Sequence, residues 1–458
     1  MFKFKQYNQN QLQLLPPNLS DMIAGDHLAR LISHAVDTMD LSFVENQYSF
    51  NGQHAYDPRM LLKLLIYGYA IGLRGSWKLA DRLKEDIVFM WLSGRQTPDF
   101  RTISDFRKDK LSDFKKIFDQ VLNTCFGIGM IRVGKVSLDG TKILASASRN
   151  KAVYRTNLKK RRELIRQRVE EIMQEVEEAD EEEERLYGNA TPHRIGKVFS
   201  KEEIAIAVKK VEKERASLEK KQAILKAKED DIKRKERLMR KDRNSFSSTD
   251  PDATVMMVKE GYAAPAYNVQ LATENQVILG YGVSSRRNDQ KLLKPMLKEI
   301  QERTKKKPET LITDAGYGTK LNYRYLKNQF IPAYIPYNAY DQERMLRNKG
   351  LYEPPLNPDR EYEKYKFRQR LRLQSEEGKL MMKRRREDVE PVFGNLKRNM
   401  GFRRFNLRGK WKCELELGLV STAHNLKKIK KWVERQIGWD DGRQKVQELG
   451  VVLGYIPC

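Results

Sequence analysis

A heptad repeat in the middle of the chain constrains the fold more than any other feature. Apolar residues recur every seven positions, without a break, at Ile204, Val211, Leu218, Leu225, Ile232 and Met239. An earlier segment, 158–176, also spaces its apolar residues in steps typical of a helix. Patterns of this kind indicate long amphipathic helices that pack side by side. Because the turn-rich segment 186–197 separates them, the sequence predicts an antiparallel, coiled-coil-like helical hairpin over 151–245. The other heptad position is polar, so the hairpin leaves room for a partner.

Strand patterns flank this insert on both sides. Before it, apolar residues of 131–138 lead into Asp139-Gly140, a strand followed by a turn. After it, the pattern predicts two hairpin strands, a helix, a strand, a helix and a strand, at 266–273, 276–283, 289–303, 309–316, 319–329 and 330–335. Hairpin strands followed by alternating helices and strands are typical of a mixed α/β domain. We assign 131–150 and 246–435 to this domain, and 436–458 to a C-terminal tail.

Residues 1–130 are predicted to form an all-α domain. Asp57-Pro58 combines a helix-capping residue with proline at the first helical position. Glycine-containing turns at 74–75 and 93–94 join short helices. This pattern is compatible with a DNA-binding helix-turn-helix and equally with an ordinary helical bundle.

Composition narrows the class of function. Lys and Arg number 88 against 62 Asp and Glu, a net charge of +26. Such a surplus favours a polyanionic partner, and nucleic acid is the obvious one; a merely basic soluble protein is the alternative. Cysteines and histidines are scattered, so a metal site must rest on carboxylates. The N-terminus lacks a signal peptide, and the most apolar run, 61–73, is too short to span a bilayer. We therefore expect a cytoplasmic protein with no membrane partner.

A single acid stands inside the strongly basic helical pattern of 383–405. At 3.6 residues per turn, Arg386, Glu390 and Lys397 share one face. An adjoining apolar stripe consists of Val389, Val392, Phe393 and Leu396. A helix of this design can pack its apolar side and hold one acid against a phosphate backbone.

Two aspartates at strand ends complement this glutamate. Asp139 and Asp314 each follow an apolar strand, and either alone is explained by a turn. Together with Glu390 they can converge at one edge of the sheet. Carboxylate oxygens suit hard divalent cations such as Mg²⁺.

With these motifs in order, the chain resembles bacterial insertion-sequence transposases of the DDE type, which have a ribonuclease-H-like catalytic core. Asp139, Asp314 and Glu390 match the family's three acids. The family's Y-R-E-K signature is met by Arg386, Glu390 and Lys397, whereas Lys383 stands in place of the tyrosine. Residues 50–110 resemble the family's N-terminal helical domain, which favours recognition of DNA ends. The insert is similar to that of the subgroup known as IS eleven-eighty-two.

The resemblance implies metal-dependent phosphoryl transfer. Two Mg²⁺ ions, with Mn²⁺ as a possible substitute, would be held by the three acids, and a freed 3′-OH would attack target DNA. Arg386 and Lys397 would hold phosphates near the scissile bond. Further DNA-facing cations are expected at Arg384, Arg385, Arg398, Arg403, Arg404 and Arg408. Bringing two element ends together implies a homo-oligomer.

Other functions remain compatible with the sequence. The chain could be a catalytically inactive DNA-binding or regulatory protein, a nuclease that uses the same core, or a scaffold whose helical hairpin is the working part. A scaffold would not need the strand-end aspartates, and a nuclease would cut DNA without joining it to a target.

Overall fold

The computed structural model describes residues 18–48, 55–188, 201–239 and 243–437. These residues divide into two compact units. The first draws on 1–146, 257–262 and 266–458, and the second on 147–256 and 263–265. The predicted tail from 438 onwards and most of the predicted turn 186–197 lie outside the described residues.

The N-terminal region is helical, in line with the sequence. After a short 3-10 turn at Leu19–Met22, its α-helices are α1 (Leu28–Thr38), α2 (Ser42–Glu45), α3 (Pro58–Ala70), α4 (Ser76–Glu85), α5 (Ile87–Leu92), α6 (Phe100–Asp105) and α7 (Phe114–Gly127), with a π-helical segment at Phe106–Lys110. Helix α3 begins at Pro58, and the Asp57 side chain accepts the Arg59 N–H at 2.6 Å, as its capping pattern predicts. Most of α3 is buried.

A mixed sheet forms the core of the first unit. The strands among the described residues are β1 (Lys135–Leu144), β2 (Ala152–Tyr154), β3 (Ser245–Ser247), β4 (Thr254–Met257), β5 (Ala263–Glu274), β6 (Val277–Ser284), β7 (Thr310–Thr313) and β8 (Ala333–Tyr334). In the first unit the sheet order is β6-β5-β1-β7-β8. Strand β1 runs parallel to β7 and antiparallel to β5, and β7 runs parallel to β8. The predicted hairpin is confirmed, since β5 and β6 pair antiparallel on either side of Asn275.

The second unit contains the two long helices that the heptads predicted, α8 (Arg155–Gly188) and α9 (Lys201–Leu238). Leu158 near the start of α8 packs with Ile232 and Met239 near the end of α9, around the buried Phe246 of β3. Arg162 and Glu236 form an ion pair at the same end. Because these contacts join the start of α8 to the end of α9, the two helices run antiparallel. The complete hairpin stays a prediction because its connection, and the side chains of 204 and 211, lie outside the described residues.

The remaining helices surround the sheet. They are α10 (Leu293–Thr304), α11 (Lys320–Asn328), α12 (Tyr340–Asn348), α13 (Arg360–Gln374), α14 (Glu376–Gly394) and α15 (Lys410–Ile437), with a 3-10 turn at Ala315–Tyr317 and a π-helical segment at Asn395–Asn399. A further 3-10 turn, at Arg149–Lys151, belongs to the second unit. Helix α15 packs against α3, α7 and β6, so it joins the N-terminal helices to the sheet. The described helices include none with the length and apolar content that crossing a bilayer requires.

Candidate active site

The parallel pairing of β1 and β7 brings two predicted site residues together. Leu138 of β1 is in register with Thr313 of β7, so Asp139 and Asp314 are the next residues along adjacent strands. Strand β7 ends there, and the Asp314 side chain caps the following 3-10 turn by accepting the Gly316 N–H at 2.9 Å. Asp139 accepts the N–H of Gly140 at 2.7 Å. Asp314 therefore acts as a turn residue and also lies beside Asp139.

Helix α14 brings the third predicted acid near this pair, with an arginine between them. Arg385 Nη1 lies 3.0 Å from Asp139 Oδ2, and Arg385 Nη2 lies 3.6 Å from Glu390 Oε1. The Arg385 and Asp139 side chains are largely buried, whereas the Glu390 side chain is 53% exposed. The guanidinium thus separates the largely buried Asp139 from the exposed glutamate.

Electrostatics at the aspartates favours an added positive charge. Burial, and then the neighbouring Asp314 carboxylate, raise the pKa of Asp139 to about 6, although Arg385 opposes the rise. The pKa of Asp314 is also raised, chiefly by burial and further by the charge of Asp289, with Arg385 again opposing. Because low dielectric and like charge both disfavour the ionised forms, a cation bound between the carboxylates would stabilise them.

Asp289 is a fourth carboxylate at this site that the sequence analysis missed. It lies in the loop before α10, where Oδ1 accepts hydrogen bonds from Asn268 Nδ2 at 2.6 Å and from Gln270 Nε2 at 2.8 Å. Lys142 Nζ is 3.7 Å away. The expected helix at 289–303 starts later, at Leu293, because Asp289 is held by the sheet. One signal was present in the sequence. Asn268 and Gln270 are two residues apart, so they share one face of a strand that is mostly apolar.

A glycine allows this close packing. A Cβ atom on Gly140 would lie 2.2 Å from Gln270 Nε2 and 2.8 Å from Asp289 Oδ1. Both distances are shorter than real contacts, so any larger residue would displace the polar groups around Asp139. The turn that the sequence predicted at Asp139-Gly140 is wrong, since β1 continues through both residues to Leu144. Gly140 instead allows close packing inside the strand.

An open cavity of about 750 Å³ adjoins the acids. Asp139, Thr141 and Lys142 of β1 line one side, and Glu390 lines another. Lys397, Arg398 and Arg403, all predicted to contact DNA, also line this cavity. The Lys397 ammonium donates to Thr141 Oγ1 at 2.5 Å. This hydrogen bond connects the segment after α14 to β1.

The other predicted cations take different positions. Arg384 donates to Asn275 Oδ1 at 2.9 Å on another face of α14. Arg386, the arginine of the matched signature, is exposed and is not among the residues that line the cavity. Arg404 and Arg408 donate to the backbone carbonyls of residues 145 and 146, at 3.2 and 2.9 Å. Arg385, one residue before Arg386, is therefore the arginine that contacts the acids.

The donor set fits a hard divalent cation in part. Asp139 and Asp314 supply carboxylate oxygens, the ligands such ions prefer. Within the part of the chain that the structure describes, no three His, Cys, Asp or Glu side chains converge closely enough to hold an ion. Glu390 is the acid out of position, since Arg385 lies between it and Asp139.

Comparisons with known families agree with this architecture. Residues 17–109 match the family model described as Transposase domain (DUF772), and residues 249–426 match Transposase DDE domain. The second match includes Asp314 and Glu390, whereas Asp139 lies between the two matches. Searches of curated proteins and of solved structures found no match to this chain. Together the two matches support a transposase of the DDE type, an enzyme class that acts on DNA.

Proposed function

We propose that this chain, whose two matched domains support a transposase function, cuts DNA at the ends of an insertion sequence and joins the freed 3′-OH strand to target DNA. The observation that carries the proposal is the pair of half-buried aspartates on adjacent parallel strands, Asp139 within β1 and Asp314 directly after β7, beside a cavity lined with cations. A binding protein without catalysis would have no need to keep two repelling acids together in a half-buried position.

Asp139 and Asp314 are the residues that would hold a divalent ion, Mg²⁺ or Mn²⁺, with Glu390 completing the set. When bound, such an ion activates an attacking oxygen and stabilises the charge that develops during phosphoryl transfer. The raised pKa of Asp139 supports this assignment, since a nearby cation favours the ionised carboxylate. In the structure, the Arg385 guanidinium neutralises Asp139. It would have to leave Asp139 for Glu390 to approach.

The cations of the cavity would position the DNA. Lys397, Arg398 and Arg403 face the cavity that contains the acids, where they can hold phosphates on both sides of a scissile bond. The exposed Arg386 is available to a phosphate further from the acids. Such contacts supply affinity and orientation without reading base sequence.

The other regions are assigned supporting roles. The N-terminal helices would recognise the ends of the element, and the helical insert would contact a second protomer, so that two ends are brought together in a homo-oligomer. Exposed apolar side chains on the insert helices, including Leu164 and Ile224, are consistent with such a contact.

The proposal is tested by cleavage and strand transfer on labelled DNA that carries candidate element ends, with Mg²⁺ or with EDTA. Wild type is compared with Asp314→Asn, which can keep the capping hydrogen bond to Gly316 because asparagine also caps helices. Asp341→Asn is the matched control, since that side chain is 78% exposed on α12.

Three outcomes are distinguishable. Metal-dependent cutting and joining that disappear in Asp314→Asn, with binding retained and the control active, support the transposase. Cutting without joining indicates a nuclease. Tight binding with no cutting by wild type, on verified ends and with either metal, would refute catalysis and indicate a regulatory DNA-binding protein.

A further inference from the structure

A second charged cavity lies along another face of helix α14, away from the acids. Its volume is about 540 Å³, and it is enclosed by α14, the β5–β6 turn and the last turns of α15. Its cationic lining consists of Arg384, Lys428, Lys431 and Arg435. Trp432 lines the same cavity and is half-buried. None of these residues lines the cavity beside Asp139 and Glu390, which we call the catalytic cavity.

Helix α14 lines both cavities, and hydrogen bonds hold it to the β5–β6 turn. The backbone N–H of Gln276 donates to Asp388 Oδ1 at 2.5 Å, and its side chain donates to the Glu387 carbonyl at 2.8 Å. Arg384 donates to the side chain of Asn275 on the same turn. The face of α14 that lines this cavity is therefore fixed to the sheet, and Glu390 is carried on the same helix.

The cations that line this cavity outnumber its acids, four against two. Lys428, Lys431 and Arg435 occur at helical spacings of three and four, so they project from one face of the helix. Burial lowers the pKa of Lys428, and the charges of Lys431 and Arg435 lower it further. Among the described residues, Lys431 and Arg435 have no carboxylate partner. Burial also raises the pKa of Asp388, which lines the cavity with the exposed Glu387.

Size and chemistry match a nucleic-acid strand. From Lys428 to Arg435 the cations extend about 10 Å along the helix axis, at 1.5 Å per residue. This length is enough to contact more than one phosphate of a strand. An indole beside the cations offers a surface on which a base or a sugar can stack.

We propose that this cavity binds the sugar–phosphate backbone of a DNA segment separate from the one in the catalytic cavity. The inference rests on the proposed function, because it requires that DNA is the polyanion that this chain binds. Since both cavities are lined by α14, a strand held here lies at a set distance from Glu390. The site would therefore fix the position of the DNA that flanks the reacting phosphate.

The test measures DNA binding by fluorescence anisotropy with a labelled duplex, roughly 40 base pairs long, over a series of salt concentrations. The variant is Lys431→Gln with Arg435→Gln. The control is Arg360→Gln with Lys364→Gln, which removes an arginine and a lysine at the same spacing of four from the exposed face of α13. Circular dichroism confirms that both double variants are folded, and these surface substitutions leave the packing of each helix intact.

We expect the cavity variant to lower the slope of log K against log salt by about 1–2, because each phosphate contact contributes about 0.9. Affinity at about 0.1 M salt should fall by roughly tenfold or more, with the control unchanged. Equal slopes for the two double variants would refute the proposal. A labelled mononucleotide, dAMP, provides a second arm. Saturable binding of dAMP to wild type as tight as that of the duplex would indicate a nucleotide site and would also refute it.

These outcomes are independent of catalysis, which is scored in parallel on wild type. If wild type binds but does not cut in Mg²⁺, the proposed function fails while the salt slope still tests the cavity. If wild type cuts and joins DNA, and the cavity variant binds with an unchanged slope, only the inference about the cavity fails.

Discussion

Replacing Asp139 with asparagine should stabilise the metal-free protein at neutral pH. Folding moves this carboxyl from its ordinary pKa of 3.8 to about 6. Between those values the unfolded chain has released its proton while the folded chain still holds it, so stability falls as pH rises through this window. Below the window both states are protonated, and the group contributes nothing.

The magnitude follows from the size of the shift. About two pKa units correspond to about 3 kcal/mol of lost stability above pH 6. The loss already includes the attraction of Arg385, which lowers the pKa of Asp139. The substituted asparagine would carry no charge and could still accept the Gly140 N–H. Its amide facing the guanidinium should cost about 1 kcal/mol, a pH-independent amount. That constant cost does not affect the pH dependence. Because part of the loss is already present at about pH 4, the stability difference between variant and wild type should grow by about 2 kcal/mol from there to about pH 7.5.

Urea denaturation in EDTA at several pH values measures this difference directly. Asp341→Asn serves as the control, because it makes the same substitution at a largely exposed side chain far from the site. If the Asp139→Asn difference does not change across this pH range, the ionised carboxylate is not disfavoured by its surroundings. The electrostatic argument for a cation at this site would then be wrong.

Two further predictions concern arginines that neutralise acids. Arg74→Ala should lower the free energy of unfolding by about 3–5 kcal/mol, because it leaves the buried Glu416 without its ion-pair partner at 3.1 Å. Urea denaturation measures this loss, and a loss under about 1 kcal/mol would contradict the prediction. Arg385→Gln should tighten Mn²⁺ binding roughly tenfold in titrations followed by electron paramagnetic resonance, since the guanidinium competes for Asp139 with a charge-assisted hydrogen bond. Unchanged or weaker binding would show that the arginine does not compete, and Arg384→Gln is the matched control.

The order of elements around the site could be predicted from the sequence. Apolar runs before Asp139 and Asp314 identified the two acids, and the parallel pairing of β1 with β7 makes them neighbours. Only Asp314 follows the end of its strand, because β1 continues past Asp139 to Leu144. The apolar stripe of α14 was also identified, since Val389 and Val392 are fully buried. These features depend on local periodicity, which can be recognised from the sequence of a single segment.

The choice between Arg385 and Arg386 required the tertiary structure. Successive residues on a helix are rotated by about 100°, so which arginine meets the acids depends on how α14 is oriented against the sheet. The signature spacing favoured Arg386, but the docked helix brings Arg385 to Asp139 and leaves Arg386 exposed. Packing decides that rotation, and it involves residues from distant parts of the chain.

The sequence by itself determined the order of the main strands and helices, and the two acids, one on β1 and one directly after β7. Only the tertiary structure decided which side chains meet. Asp289 joins the site because a loop folds back onto the polar face of β5. The second cavity exists because α15 returns, far along the chain, to the β5–β6 turn and α14. Periodicity and turn chemistry are local and can be recognised in one segment, whereas these contacts depend on the simultaneous packing of segments far apart in the chain.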